Sequence, residues 1–307
     1  MEYGDPKTDA EILRSAMKGK TKDQDKIIKL ITIRTNEQRQ KIKECYNSIY
    51  NSDLIKDLQK ELSGHFEDVV VALFYTPVDY DCFQLRKAVK GLGTDEDALI
   101  EILTTRPSNV IEEIKTRYSE MYPGRNLIKD IESDTSGNFR KIVVSLLEAK
   151  RSSSSQPDPT ECEKCAKQLV EATDNKKVNI DTFIKIFTEK SQAEFIRIAQ
   201  LYFNLSKKSL LESVEKGFSG DSKEALIGII YAKICPSEYF AKKVYKSVKG
   251  LGTDNNTLIR ILITRDEIDM PRIKQFYKQL YKKDMLQAIK DDTSGNYQKI
   301  LIELASH

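Results

Sequence analysis

Apolar positions along the chain fall at helical spacing. Leu99, Ile100, Ile102 and Leu103 form one cluster and Leu258, Ile259, Ile261 and Leu262 another, with polar residues between them as a one-sided helix requires. No segment alternates apolar and polar residues in the manner of a strand. Start signals accompany the helices. Thr94 with Asp97, and Thr8 with Glu11, have the spacing of capping boxes, in which a hydroxyl and a carboxylate satisfy backbone N–H groups at a helix start. Stops at Pro107, at Pro123-Gly124 and at each Ser-Gly pair then cut units of roughly 70 residues into about five short helices. The longest unbroken apolar run, Val69 to Tyr75, is far short of the roughly 20 residues that a membrane-spanning helix needs. The pattern predicts an all-α protein.

The chain also repeats itself. Lys90-Gly91-Leu92-Gly93-Thr94-Asp95 recurs unchanged as Lys249-Gly250-Leu251-Gly252-Thr253-Asp254, and Asp134-Thr135-Ser136-Gly137-Asn138 recurs as Asp292-Thr293-Ser294-Gly295-Asn296. Two fainter copies complete the array. One contains Met17-Lys18-Gly19 with Glu61-Leu62-Ser63-Gly64, the other Phe183 to Phe187 with Gly217-Phe218-Ser219-Gly220. A fixed period of this kind marks stacked supersecondary units. The expected boundaries are a short arm at 1–7, repeats at 8–76, 77–149, 160–234 and 235–307, and a linker at 150–159. Ser152 to Ser155, followed by Pro157 and Pro159, have nothing to bury, so the linker is expected to be exposed and to divide the array into two pairs.

Composition narrows the function. Fifty Lys and Arg against 47 acidic residues leave a net charge of only +3, too little to argue for nucleic acid and mildly favourable to an anionic surface. The first residues are acidic and polar and no Gly follows Met1, so neither a secretory signal nor a myristoyl acceptor is expected and the default location is cytoplasmic. Cys45, Cys82, Cys162, Cys165 and Cys235 are scattered and odd in number, which reads as reduced thiols. Cys162 and Cys165 have no second CxxC, and His65 and His307 are the chain's only histidines, so a zinc site lacks ligands. The same shortage leaves no nucleophile–base grouping for an enzyme acting on lipids.

The Gly-Leu-Gly-Thr loop can be read as a plain turn ahead of a capped helix. A distant partner makes it more than that. Asp292 lies 42 residues after Gly250, Glu61 lies 42 after Gly19 and Asp134 lies 43 after Gly91, an acidic side chain expected at the start of another helix. Ca²⁺ takes six to eight oxygens, and glycines let a tight loop aim several backbone carbonyls at one point. Carbonyls plus one bidentate carboxylate give about five oxygens and leave about two positions for water or phosphate. With one carboxylate per ion, calcium alone is expected to bind at ~10⁻⁴–10⁻³ M, and a lipid phosphate to tighten it. Leu92 and Leu251 at the loop tips either bury or dip into the headgroup layer. Lys90 and Lys249 either stand in solvent or attract anionic headgroups, worth about one kcal/mol each near a surface.

In these motifs the sequence resembles the annexins from about Thr8 to Ala305. The family's loop, (M/L/V)-K-G-x-G-T with an acidic residue about 42 positions on, is complete at Val89, Gly91, Gly93 and Asp134 and again at Val248, Gly250, Gly252 and Asp292. The resemblance implies four five-helix repeats in a curved disc, calcium as the cofactor, acidic phospholipids such as phosphatidylserine as partners, and a peripheral membrane location when calcium rises. Lys90, Leu92, Lys249 and Leu251 are the implied lipid contacts. A second set is weaker: Met17, Gly19 and Glu61 in repeat 1, where Lys20 replaces the tip leucine and Thr21 the second glycine, and Thr94 with Glu96 as a secondary site in repeat 2. Asn255 stands where repeat 4 would need that second acid. Repeat 3 reads Lys176-Lys177-Val178-Asn179 with Gly217 at the acidic position, so its site is expected to be lost.

Asp81, Arg106 and Arg260 match charged residues that line a central channel in some annexins, but Gln84 replaces an acidic one and buried ion pairs between repeats explain them equally. No ion conduction is predicted. The arm before Thr8 is too short to suggest a protein partner there. The competing reading is a calcium-independent scaffold with cytoskeletal or other protein partners.

Overall fold

The structure is a computed structural model that describes residues 4–18, 23–91, 93–148, 150–152, 154–174 and 179–307. Among the described residues every regular element is a helix, and there are twenty. Repeat 1 contains α1 (Pro6–Met17), α2 (Gln24–Thr32), α3 (Asn36–Tyr50), α4 (Leu54–Glu61) and α5 (Gly64–Leu73). Repeat 2 contains α6 (Pro77–Ala88), α7 (Glu96–Thr105), α8 (Ser108–Met121), α9 (Leu127–Asp134) and α10 (Gly137–Leu147). Repeat 3 follows with α11 (Pro159–Asp174), α12 (Ile180–Glu189), α13 (Gln192–Ser206), α14 (Leu210–Gly217) and α15 (Gly220–Ile234). Repeat 4 closes the array with α16 (Pro236–Val248), α17 (Asn255–Arg265), α18 (Met270–Tyr281), α19 (Met285–Asp292) and α20 (Gly295–Ser306).

The helix starts differ from the expected capping boxes. Asp5 caps α1, accepting from the Lys7 and Thr8 backbone N–H groups, while the Thr8 hydroxyl donates to the Asp5 carboxylate. Asp95 rather than Thr94 caps α7, accepting from the Ala98 N–H at 2.9 Å. In both cases an aspartate competes successfully for the cap, because a charged acceptor there also meets the positive end of the helix dipole. The threonine hydroxyl is thereby released for other work.

The helices gather into two compact units, Met1–Tyr80 with Phe240–His307, and Asp81–Tyr239. Contrary to the sequence expectation, the linker does not separate them: it lies inside the second. Apolar faces, not chain adjacency, decide the pairing. In the first unit α2 and α5 of repeat 1 pack on α17 and α20 of repeat 4; in the second, α7 and α10 pack on α12 and α15. At Gly228 the approach of α15 to α7 is so close that an added Cβ would stand 2.8 Å from Ile100 Cγ2. The third helix of every repeat places one tyrosine in the core: Tyr46, Tyr118, Tyr202 and Tyr277 are fully buried.

Two other expectations change. Asp81 and Arg106 do form a buried pair, with Arg106 Nε and Nη2 at 2.7 and 2.8 Å from the two carboxylate oxygens, but it lies within repeat 2 and not between repeats. Asp9 and Arg34 make the same pair in repeat 1 at 2.7 and 3.1 Å. The linker is not free along its length either. Arg151 donates to the Leu103 carbonyl at 2.9 Å and the Ser152 N–H to the Glu189 carbonyl at 2.7 Å, which anchors its first residues before the exposed stretch of Ser154 to Gln156.

Candidate metal centres

Each repeat joins its first helix to its second through a loop with one frame. The Asp95 N–H donates to the Ala88 carbonyl at 2.9 Å and the Asp254 N–H to the Ser247 carbonyl at 2.8 Å. Asp23 to Ala16 and Asn179 to Ala172, both at 3.1 Å, are the equivalents in repeats 1 and 3. The residue that closes the loop also caps the second helix through its side chain. The frame is therefore common to all four repeats, and what differs is the residues strung across it.

In repeats 2 and 4 those residues include glycines in backbone conformations closed to other residues. Gly91 and Gly250 have φ of 121° and 129°, and Gly93 and Gly252 both have 87°. An added Cβ would meet nothing within 4 Å at any of the four, so the demand for glycine comes from the backbone and not from crowding.

The distant acid occupies one place throughout, though not the one expected. Glu61, Asp134 and Asp292 are each the last residue of the repeat's fourth helix, not the first of another, and Gly217 holds that place in repeat 3. A carboxylate at a helix C-terminus faces the negative end of the dipole and is unfavourable there without a compensating positive partner. The Thr94 hydroxyl supplies part of it. Its oxygen lies 2.7 Å from Asp134 Oδ2 and 2.8 Å from the Asp134 carbonyl oxygen, so the loop is tied directly to the acid. Thr253 repeats the contact with Asp292, at 2.5 Å to Oδ2 and 3.0 Å to the carbonyl. Behind Asp134, Arg140 Nε donates to the Thr135 carbonyl at 2.6 Å. In repeat 4, Val248, Gly250 and Asp292 line one cleft of about 630 Å³.

In repeats 2 and 4 the loop threonine thus meets the predicted acid. Val89 and Val248 are half-buried, while Gly91, Gly93, Gly250 and Gly252 are exposed and Asp134 and Asp292 half-buried beside them. Leu251 is wholly exposed, at 109%; Leu92 lies outside the described residues. Lys90 and Lys249 are exposed, the latter with its ammonium 5.2 Å from the Tyr245 ring centroid. In repeat 1, Met17 ends α1 with a buried side chain and Glu61 is in place, but Gly19, Lys20 and Thr21 lie outside the described residues. So do Lys176, Lys177 and Val178 of repeat 3. Glu96 opens α7 half-buried next to Thr94. Asn255, its counterpart, is committed elsewhere: its amide donates to the Thr253 carbonyl at 3.2 Å and its oxygen accepts from Tyr297 at 2.7 Å.

Among the described residues no group of three or more His, Cys, Asp or Glu side chains could hold a metal. Loop carbonyls together with one carboxylate would make an all-oxygen donor set, the chemistry that suits calcium and not zinc. Cys162 and Cys165 are buried in α11, and burial pushes both thiols up. Reasoning from sequence missed the threonine-to-acid contact. Its signal was the recurrence of Thr after the second glycine in the two repeats that keep both glycines.

Four five-helix repeats, two of them with a glycine loop tied through a threonine hydroxyl to a carboxylate at the end of the fourth helix, define a class of helical-repeat protein. The annexin profile matches residues 8–73, 80–146, 164–229 and 239–304. Human annexin A4 is 41% identical over 297 residues, spanning 96% of this chain and 93% of its own length. Human annexin A7 is 40% identical over 96% of this chain, which spans 61% of that relative. Among solved structures, annexin III superposes with a TM-score of 0.97 at 35% identity, covering 100% of this chain and 95% of that one. Calcium-bound annexin (Sm)1 gives 0.89 at 30% identity, over 99% and 90%. The chain belongs to the annexin family.

Proposed function

We propose that this annexin attaches reversibly to acidic phospholipid membranes when calcium is present, through repeats 2 and 4. The observation that carries the reading is the hydroxyl contact of Thr94 with Asp134 and of Thr253 with Asp292, which joins a carbonyl-bearing loop to a carboxylate in two repeats. Val89, Gly91, Gly93 and Asp134 would hold one calcium ion, and Val248, Gly250, Gly252 and Asp292 another. Calcium there supplies positive charge and open coordination positions that phosphate oxygens can take. The rest is done by the protein. Lys90 and Lys249 add attraction to anionic headgroups such as phosphatidylserine, and exposed Leu251 offers an apolar tip to the headgroup layer. On this reading attachment is peripheral and the protein is cytoplasmic until calcium rises; no described helix is long and apolar enough to cross a membrane.

This is a binding function, not catalysis, and it needs no partner at the N-terminal arm. A calcium-independent scaffold with cytoskeletal partners is less well supported, because a scaffold has no use for strained glycines beside a carboxylate at the unfavourable end of a helix. The test is calcium-titrated binding to phosphatidylserine vesicles by the Asp134→Asn/Asp292→Asn variant. The reading expects binding to be nearly abolished with helicity intact; parental binding would overturn it.

A further inference from the structure

The two halves of each proposed site come from different helices: the carbonyl loop follows the first helix of a repeat, and the acid ends the fourth. In repeat 2 they are joined at two places. Thr94 ties the far end of the loop to Asp134. Behind the loop lies a second tie, in which Asp130 Oδ2 accepts from Arg86 Nη1 at 3.2 Å and from the Tyr118 hydroxyl at 2.8 Å. Arg86 stands in the last turn of α6, two residues before the carbonyl that closes the loop, and Asp130 one turn before Asp134 on α9. Both side chains are largely shielded, at 18% and 13% exposure, and the guanidinium carbon lies 5.9 Å from the Tyr122 ring centroid. Three helices, α6, α8 and α9, therefore meet at one carboxylate.

The same three positions differ from repeat to repeat. Repeat 1 keeps the tie: Arg14 Nη1 and the Tyr46 hydroxyl lie 2.8 and 2.7 Å from Asp57 Oδ2. Repeat 3, with Gly217 in place of the acid, holds Val170, Tyr202 and Ser213, whose two hydroxyls are 2.7 Å apart. Repeat 4 has Tyr245, Tyr277 and Ala288. Tyr245 stacks on Tyr281, with centroids 3.6 Å apart and planes within 5°, and the methyl of Ala288 has no polar group to offer α16. The loops of repeats 2 and 4 are identical from Lys90 to Asp95 and from Lys249 to Asp254. What differs is how the helix beneath each loop is fastened to the helix that carries the acid.

On the calcium reading, on which this rests, we infer that Arg86, Asp130 and Tyr118 are positioning residues for the repeat 2 ion: they fix the loop against Asp134 before calcium arrives, and they make repeat 2 the tighter of the two sites. None of the three is a ligand. Binding requires the loop carbonyls and the carboxylate to converge on one point, and freedom already frozen in folding is not lost again when the ion enters. The repeat 2 loop is clamped to α9 at both ends. In repeat 4 the clamp is the contact of Thr253 with Asp292 at the far end of the loop, so the α16 end has more freedom to lose.

The test replaces both members of the pair, because removing one would strand a shielded charge. Arg86→Val with Asp130→Ser gives repeat 2 the residues of repeat 3 and keeps a hydroxyl for Tyr118. It is made in the full chain carrying Asp292→Asn, which silences repeat 4, and calcium is titrated for binding to phosphatidylserine vesicles. About fivefold more calcium should be needed, the low end of coupling between linked sites, with helicity retained. Arg14→Val with Asp57→Ser removes the matching tie from repeat 1, which supplies no residue to either site. In the same background it should leave the calcium requirement unchanged, whatever it does to thermal stability. The reciprocal variant, Tyr245→Arg with Ala288→Asp in an Asp134→Asn chain, should lower the calcium needed by repeat 4 about fivefold, and it decides the matter if the repeat 2 variant fails to fold. Unchanged calcium demand in the repeat 2 variant, equal shifts from the repeat 1 and repeat 2 variants, or a folded reciprocal variant at parental calcium overturns the positioning role and leaves the membrane reading standing. Failure of both single-site parents to bind vesicles in calcium overturns the membrane reading itself and the positioning role with it.

Discussion

Gly250→Ala isolates the role of the loop backbone. At φ of 129° the position lies beyond the left-handed well that other residues visit, and holding an alanine there costs about 1–3 kcal/mol. Nothing stands within 4 Å of the added methyl, so no steric term enters. The exposed loop can escape the strain by rotating to negative φ, which turns its carbonyls away from Asp292. Calcium binding must then restore the strained form, so the affinity of the repeat 4 site should fall by about 5- to 150-fold, the same free energy expressed as a ratio. The fold should not notice, with Tm moving by less than about 2 °C.

The assay is calcium-dependent vesicle binding in an Asp134→Asn background, so that repeat 2 does not mask the loss, with thermal unfolding alongside. Gly228→Ala is the opposite control. Its methyl would press on Ile100 at 2.8 Å, costing about 1–3 kcal/mol of stability while leaving the calcium requirement of the folded protein unchanged. If Gly250→Ala binds vesicles at parental calcium, the glycines are turn residues only and the ligand set is wrong.

Other outcomes follow from the same geometry. Glu61→Gln should raise the calcium needed for half-maximal vesicle binding less than Asp292→Asn does, because the repeat 1 loop lacks the second glycine; a titration of the two single variants decides. Lys233 is buried beside Arg151, and burial pushes its ammonium down to about 7, below its unfolded value, so the unfolded chain binds the extra proton between about pH 7 and 10 and stability should rise with pH across that window. Lys233→Met should flatten that slope and add about 1 kcal/mol at pH 7, as read by denaturant unfolding at several pH values. Limited proteolysis should cut first between Ser154 and Asp158 and not at the anchored Arg151-Ser152, with fragment masses as the check.

Helix content and the count of repeats were legible in the sequence because apolar spacing and the duplicated Lys-Gly-Leu-Gly-Thr-Asp are local signals. Which repeats pack together was not. The pairing of repeat 1 with repeat 4 depends on which faces of α2, α5, α17 and α20 meet, and the Ser-rich linker pointed the wrong way. Glu61, Asp134 and Asp292 stood out by their spacing, but their place at the end of the fourth helix was hidden, since Asp-Thr-Ser-Gly reads as readily as a helix start. Thr94 looked like a cap because its own helix offered the nearest N–H groups; Asp95 took that role, and the hydroxyl went to a carboxylate forty residues away.

The central claim is tested most directly by sedimenting the unmodified protein with phosphatidylserine vesicles, first with calcium and then after adding excess chelator. The account predicts that the protein pellets with the vesicles in calcium and returns to the supernatant with the chelator, with unchanged helicity in both. Equal sedimentation in calcium and in chelator would contradict it.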